Sequence, residues 1–224
     1  MKVLLFGATG MVGQGVLREC LLAGDVTKVT SVGRTPLGIA DAKLQEVIQP
    51  DLTKLGSVEG ELRDHDACFF CLGVSSVGMD AATYERMTHD LTLSVATTLA
   101  RLTPTMALTY VSGAGTDSTE QGTVRWARVK GRTENDLLKL PLARVFLFRP
   151  GVIQPMHAVR SKTALYRLAY AVAGPMLSSV KHFFPKSLVT SEEMGRAMLN
   201  AVRHEPESAV LEVADIVRLG AAKA

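Results

Sequence analysis

Short apolar runs alternate with helix-length segments through most of this chain, and that alternation restricts the folds open to it more than any other feature. The runs are "KVLLF" (2–6), "VTKVTSV" (26–32), "LQEVI" (44–48), "ACFFCL" (67–72), "MALTYVS" (106–112) and "ARVFLF" (143–148). Between them, 11–23, 81–102 and 120–140 are long enough to be crossover helices. Strands that read as continuous apolar runs are buried on both faces, so the order predicts a parallel sheet with helices packed on each side. The expectation is a Rossmann-type doubly wound α/β fold, with 1–224 forming a single domain.

The last third departs from strict alternation. "AVRSKTALYRLAYAVAG" and "TSEEMGRAMLNAVRHEP" read as helices, the second with Thr190 or Ser191 as its N-cap and Glu192 and Glu193 in its first turn. A short strand, "AVLEV", follows. No repeat or linker separates this region, so about 150–224 is expected to form a small helical C-terminal cap over the substrate pocket. Residues 161–180, with Lys162 and Arg167 among apolar neighbours, are expected to pack over that pocket or against a second subunit, which leaves a homo-oligomer open. Their basic face is too thin for a membrane surface.

Charge excludes some partners. With 25 basic against 22 acidic residues and a net charge of +3, there is no electrostatic footprint for nucleic acid. The longest uncharged stretch, 168–180, contains Gly174 and Pro175 and falls short of the roughly 18 to 20 residues of a transmembrane span. The first apolar run is cut by Gly7, too early for a signal peptide. Three cysteines, Cys20, Cys68 and Cys71, are an odd number that suits a reducing compartment, and the expected location is cytoplasmic. Cys68 and Cys71 form C-x-x-C within an extended run, where positions three apart face opposite ways, so they predict a core strand and no metal site.

Straight after the first strand comes "GATGMVGQG", placing Gly7, Gly10 and Gly13 before an apolar helix. Strand, glycine turn and helix in that order let backbone amides approach a pyrophosphate, which predicts dinucleotide binding. A site for NAD usually presents an acid about 20 residues further on, to hold the ribose 2'-hydroxyl. Here the second strand ends in "SVGRTP", and Asp25 lies before that strand, at its wrong end. Arg34 suits a 2'-phosphate, so the expected cofactor is NADP, with NADPH preferred over NADH. "PDL" after the third strand could bring Asp51 near the adenine, and "CLGVSS" after the fourth brings Gly73 toward the cofactor backbone.

The ordered set "GATGMVG", "CLG", "YVSGAG", "WARVKGRTE" and "FRPGVI" resembles the short-chain dehydrogenase/reductase superfamily, in its atypical branch with the NmrA-like and Tat-interacting oxidoreductase-like proteins. The resemblance covers nearly the whole chain. It implies a cradle of Gly7, Thr9, Gly10, Met11, Val12 and Gly13, with Arg34 on the 2'-phosphate and Asp51 and Leu52 by the adenine. Cys71, Leu72 and Gly73 would line the adenosine side, and Pro150 and Gly151 would flank the nicotinamide. Ser112 would help hold a substrate oxygen, and Lys130 the nicotinamide ribose. The family's catalytic tyrosine, four residues before that lysine, is replaced by Trp126.

Residues i and i+4 share a helical face, so Trp126 and Lys130 should look into one pocket. An indole N–H donates a hydrogen bond but is no usable acid. Loss of a general acid costs about 10² to 10⁴ in rate. Either another residue supplies the proton, or the acceptor is a flavin or quinone that takes one from solvent. Tyr84, His89 and His157 are the candidate replacement donors, while Tyr110 reads as core. Two functions stay open: an NADP(H)-dependent oxidoreductase acting on a quinone, flavin or carbonyl acceptor of unknown identity, and a non-catalytic NADP(H)-binding redox sensor or assembly factor.

Overall fold

A computed structural model describes residues 1–156 and 188–222. Their order is β1 (Lys2–Phe6), α1 (Met11–Leu22), β2 (Lys28–Gly33), β3 (Leu44–Ile48), α2 (Glu59–Leu62), β4 (Ala67–Phe70), α3 (Ala81–Glu85), a π turn (Arg86–Asp90), α4 (Leu91–Leu102), β5 (Ala107–Val111), α5 (Arg125–Leu137), β6 (Arg144–Arg149), β7 (Val152–Gln154), β8 (Leu188–Thr190), α6 (Ser191–His204), β9 (Val210–Glu212) and α7 (Val213–Ala221).

Seven strands make one parallel sheet in the order β3-β2-β1-β4-β5-β6-β9. This is the doubly wound Rossmann arrangement. The order of strand addition reverses between β1 and β4, and a ligand crevice is expected at the carboxyl ends of those strands. Alternating strand residues face two cores. Val3, Leu5, Phe69 and Phe148 pack beneath α1, α6 and α7, while Leu4, Phe6, Phe70 and Leu147 pack beneath α4 and α5. Cys68 joins the second core and Cys71 packs against the first, on opposite faces as the strand geometry requires. Both are free thiols, and Tyr110 is core.

Element boundaries moved where side chains bind the backbone. The helix expected over 120–140 begins only at Arg125, because the Asp117 carboxylate accepts hydrogen bonds from the Thr119 and Gly122 amides and holds the preceding segment as a turn. The helix expected over 81–102 carries the π turn at its centre. Thr190 caps α6, its hydroxyl accepting from the Glu193 amide while the Glu193 carboxylate accepts from the Thr190 amide. Of the stretch expected to cap the pocket, β9 extends the main sheet beside β6, and α6 packs across α1. β7 and β8 form a separate two-stranded sheet. The helix expected over 158–174 and the amphipathic stretch 161–180 lie outside the described residues. No described helix is long and apolar enough to cross a membrane.

Candidate active site

The phosphate loop is built by steric necessity. Gly7 has φ +86°, and a Cβ there would stand 2.8 Å from the backbone of Cys71 and Leu72. At Gly13 a Cβ would lie 2.1 Å from the Gly7 carbonyl oxygen, far inside van der Waals contact. The Gly10 amide donates to that same oxygen at 2.9 Å. Gly10 is the N-cap of α1, and neither a capping side chain nor an acid occupies the first turn. The amides of Met11, Val12 and Gly13 are therefore presented without a competing carboxylate, which suits an anion at the helix N-terminus.

Beside this loop opens a cavity of about 310 Å³, lined by Gly7, Thr9, Arg34, Thr35, Leu52 and Leu72 among others. Arg34 is exposed and is the one charged side chain in its lining, and no described carboxylate pairs with it. Leu52 is buried in the wall. Cys71 backs the loop, its amide bonded to the Phe6 carbonyl at 2.9 Å. Gly73 is exposed beyond Leu72. Asp51 is not brought into the lining. Its carboxylate accepts from the Thr53 amide at 3.0 Å and from the Thr53 hydroxyl at 2.6 Å, which hold it below the usual carboxylate range. The excluded volume at Gly7 and Gly13 and the free helix amides fit a dinucleotide.

The second half of the site gathers at the carboxyl ends of β5 and β6. The Ala114 amide donates to the Pro150 carbonyl at 2.8 Å, tying the two loops together. Pro150 is buried and Gly151 exposed. Trp126 and Lys130 do share a face of α5. The indole ring lies against the loop after β5, where a Cβ on Gly115 would be 3.6 Å from its Cη2, and Lys130 Nζ donates to the Ser112 carbonyl. Burial lowers the Lys130 pKa to about 8, and the nearby Glu134 carboxylate only partly opposes that.

Ser112 is turned inward. Its hydroxyl is buried and has two acceptors for neighbours, the Glu134 carboxylate and the Phe148 carbonyl at 3.1 Å. A serine has one hydrogen to give, so that hydrogen is committed inside the protein. Glu134 is 1% exposed and pairs with Arg149, which also bonds Ser118 and, at 3.2 Å, Glu212. This network joins β5, α5, β6 and β9, and sequence reading assigned neither Glu134 nor Arg149 a role. The available signal was a glutamate one turn beyond Lys130 and an arginine ending an apolar strand.

Of the candidate replacement donors, neither Tyr84 nor His89 lines the cavity beside the glycine loop. Tyr84 is buried to 1% exposure, and burial raises its pKa. His89 bridges Asp90 at 2.8 Å and Asp136 at 3.0 Å, fastening the π turn to α5. His157 lies outside the described residues. Among the described residues no cluster of side chains is arranged to hold a metal ion.

No protein-family model matches the chain. It is 30% identical to Protein HTATIP2 of Rattus norvegicus over 154 residues, covering 68% of this chain and 62% of that protein. The chain therefore spans less than two thirds of that relative's length. It is 26% identical to the protein fmp52-2, mitochondrial, of Aspergillus oryzae over 224 residues, covering 96% and 95%. These relatives, together with the fold, support a place in the atypical short-chain dehydrogenase/reductase superfamily. Among solved structures, the Bordetella bronchiseptica enzyme WbmF in complex with NAD+ and UDP shares the fold, with a TM-score of 0.69 at 14% identity over 97% of this chain and 75% of that one. The expectation of a plain cytoplasmic location is overturned, since the Aspergillus oryzae relative and other fungal relatives are named as mitochondrial proteins.

Proposed function

We infer that this chain binds NADP(H) and passes a hydride between it and a two-electron acceptor, a quinone, flavin or carbonyl compound. The observation that carries the reading is the cavity beside the glycine loop in which Arg34 is the one lining charge. A guanidinium donates charge-assisted, often bidentate, hydrogen bonds to a phosphate, while an adenosine 2'-hydroxyl gives it little to hold. The bound nicotinamide would supply the hydride. The α1 amides would hold the pyrophosphate, Leu52 and Leu72 would flank the adenosine, and Lys130 would orient the ribose. Trp126 would shape the wall beside the acceptor and donate one hydrogen bond without an acid's reactivity.

Replacing Arg34 with alanine tests this. A hydrogen bond to a charged group contributes about 1.5 to 3 kcal/mol, so NADPH affinity should fall about 10- to 100-fold. NADH affinity should change less than about threefold, since it has no phosphate for Arg34 to hold. Equal losses for both nucleotides would sink the cofactor assignment.

A second reading, a nucleotide-dependent sensor or assembly factor without turnover, is favoured by the inward-turned Ser112. In the family pattern a serine and a tyrosine serve the substrate oxygen, whereas here one hydroxyl hydrogen is committed to buried acceptors and the other residue is Trp126. NADPH oxidation by the purified protein, assayed with quinones, flavins and aldehydes, separates the two. Binding without oxidation supports the second.

A further inference from the structure

The site has a hydride source to bind and no tyrosine beside it, which raises the question of what delivers the proton. Indole is not an acid of use at neutral pH. Ser112 faces two acceptors. Tyr84 and Tyr110 are buried in the core, and the buried His65 is held between Thr30 and the Leu62 carbonyl, before β4 begins. Cys71 is held neutral by burial. His89 is clamped between two carboxylates, those of Asp90 and Asp136.

Lys130 is different. An ammonium has three hydrogens, and among the described residues Nζ uses one, to the Ser112 carbonyl at the end of β5. It lies one turn beyond Trp126 on the face directed at the loop after β5. Among the described residues the charged group that acts on it is Glu134 on its own helix, which pairs with Arg149 on β6; Arg149 in turn pairs with Glu212 at the end of β9. Glu134 makes its direct ion pair with Arg149, so its pull on the ammonium is weaker than the opposing effect of burial.

We propose that Lys130 Nζ is the proton donor of this site, performing the step that a phenol performs in relatives with tyrosine at position 126. This rests on the oxidoreductase reading above. The acceptor takes two electrons and one hydrogen as hydride from the reduced nicotinamide, which is left oxidised, and one proton from Nζ. The N–H bond breaks, an O–H or N–H bond forms on the acceptor, and the neutral amine regains its proton from solvent. Burial supports the role, since a lysine brought down to about 8 is an acid matched to neutral pH. The Ser112, Glu134 and Arg149 network is then the mount that fixes the carbonyl on which Nζ rests.

The test uses full-length protein and Lys130→Arg, which keeps a cation for the ribose but cannot release a proton in this range. In native protein kcat for NADPH and an uncharged quinone should fall as pH rises through about 8. In Lys130→Arg kcat should drop at least about 100-fold and that alkaline limb should vanish, while NADPH affinity shifts less than threefold. A readout independent of turnover is NMR of 13C-lysine protein. One Cε resonance should titrate near pH 8, with and without NADP+, and be absent from the variant; Lys130→Gln serves for this if the arginine variant does not fold. A Lys130 resonance titrating only above pH 10, retention of kcat and its limb in Lys130→Arg, or loss of the limb in His157→Ala instead would each overturn the proposal. Absence of NADPH oxidation by native protein would remove the oxidoreductase reading itself, and the donor role with it.

Discussion

Gly13→Ala is expected to lower NADPH affinity by at least about 100-fold, or about 2.7 kcal/mol. The added Cβ would sit 2.1 Å from the Gly7 carbonyl oxygen, an atom of the rigid backbone with no rotamer through which to retreat. The loop must open, and Gly7 itself is held by its close approach to the Cys71 and Leu72 backbone, so the displacement falls on the turn that carries the α1 amides. Overpacking of this kind also destabilises by about 1 to 3 kcal/mol. Gly24→Ala is the matched control, because a Cβ there meets nothing within 4 Å. Nucleotide titration and urea unfolding of both variants give the two numbers. Unchanged NADPH binding by Gly13→Ala would mean that this loop is not the cradle.

Arg149→Met should be the most destabilising single change away from the glycine loop, by about 3 to 5 kcal/mol. It strips the partner from Glu134, which is 1% exposed and has no route to water, and it also releases Ser118 and Glu212. A buried carboxylate left without its guanidinium, with only the Ser112 hydroxyl and the nearby Lys130 to offset it, is the dominant cost, whereas a neutral pair of similar volume largely avoids it. The double variant Glu134→Gln/Arg149→Met should therefore recover at least half of the loss. Urea midpoints of the native protein, the two single variants and the double complete the cycle. A cost below about 1 kcal/mol for Arg149→Met would show that the network does not hold the ends of β5 and β6 as described.

How much of this was legible beforehand depends on the distance over which each feature is encoded. The strands are local features: "VLLF" (3–6) and "ACFF" are apolar throughout because helices cover both faces of the sheet, and the pattern says so directly. The glycine turn is equally local. The start of α5 was misplaced by several residues because one side chain, Asp117, captures two amides and delays the helix, which composition does not display. At Asp51 the sequence does not display that an aspartate two residues before a threonine closes its own turn.

The Ser112 network was illegible for a different reason. It draws single residues from β5, α5, β6 and β9, and no spacing rule relates them. The helical spacing that put Trp126 and Lys130 on one face did reach the site. It could not show that Nζ ends on a backbone carbonyl, nor that burial lowers its pKa to about 8.

The sequence contains one tryptophan, and it is Trp126. Its emission overlaps the absorption of a reduced nicotinamide, so the residue that departs from the family pattern would report on a nicotinamide bound beside the loop after β5. Titrating the native protein with NADPH and with NADH, and following the quenching of that emission, tests the central claim most directly. The account predicts saturable quenching by NADPH with an affinity at least about tenfold greater than for NADH, from the charge-assisted bonds of Arg34. No quenching by either nucleotide, or tighter binding of NADH, would contradict it.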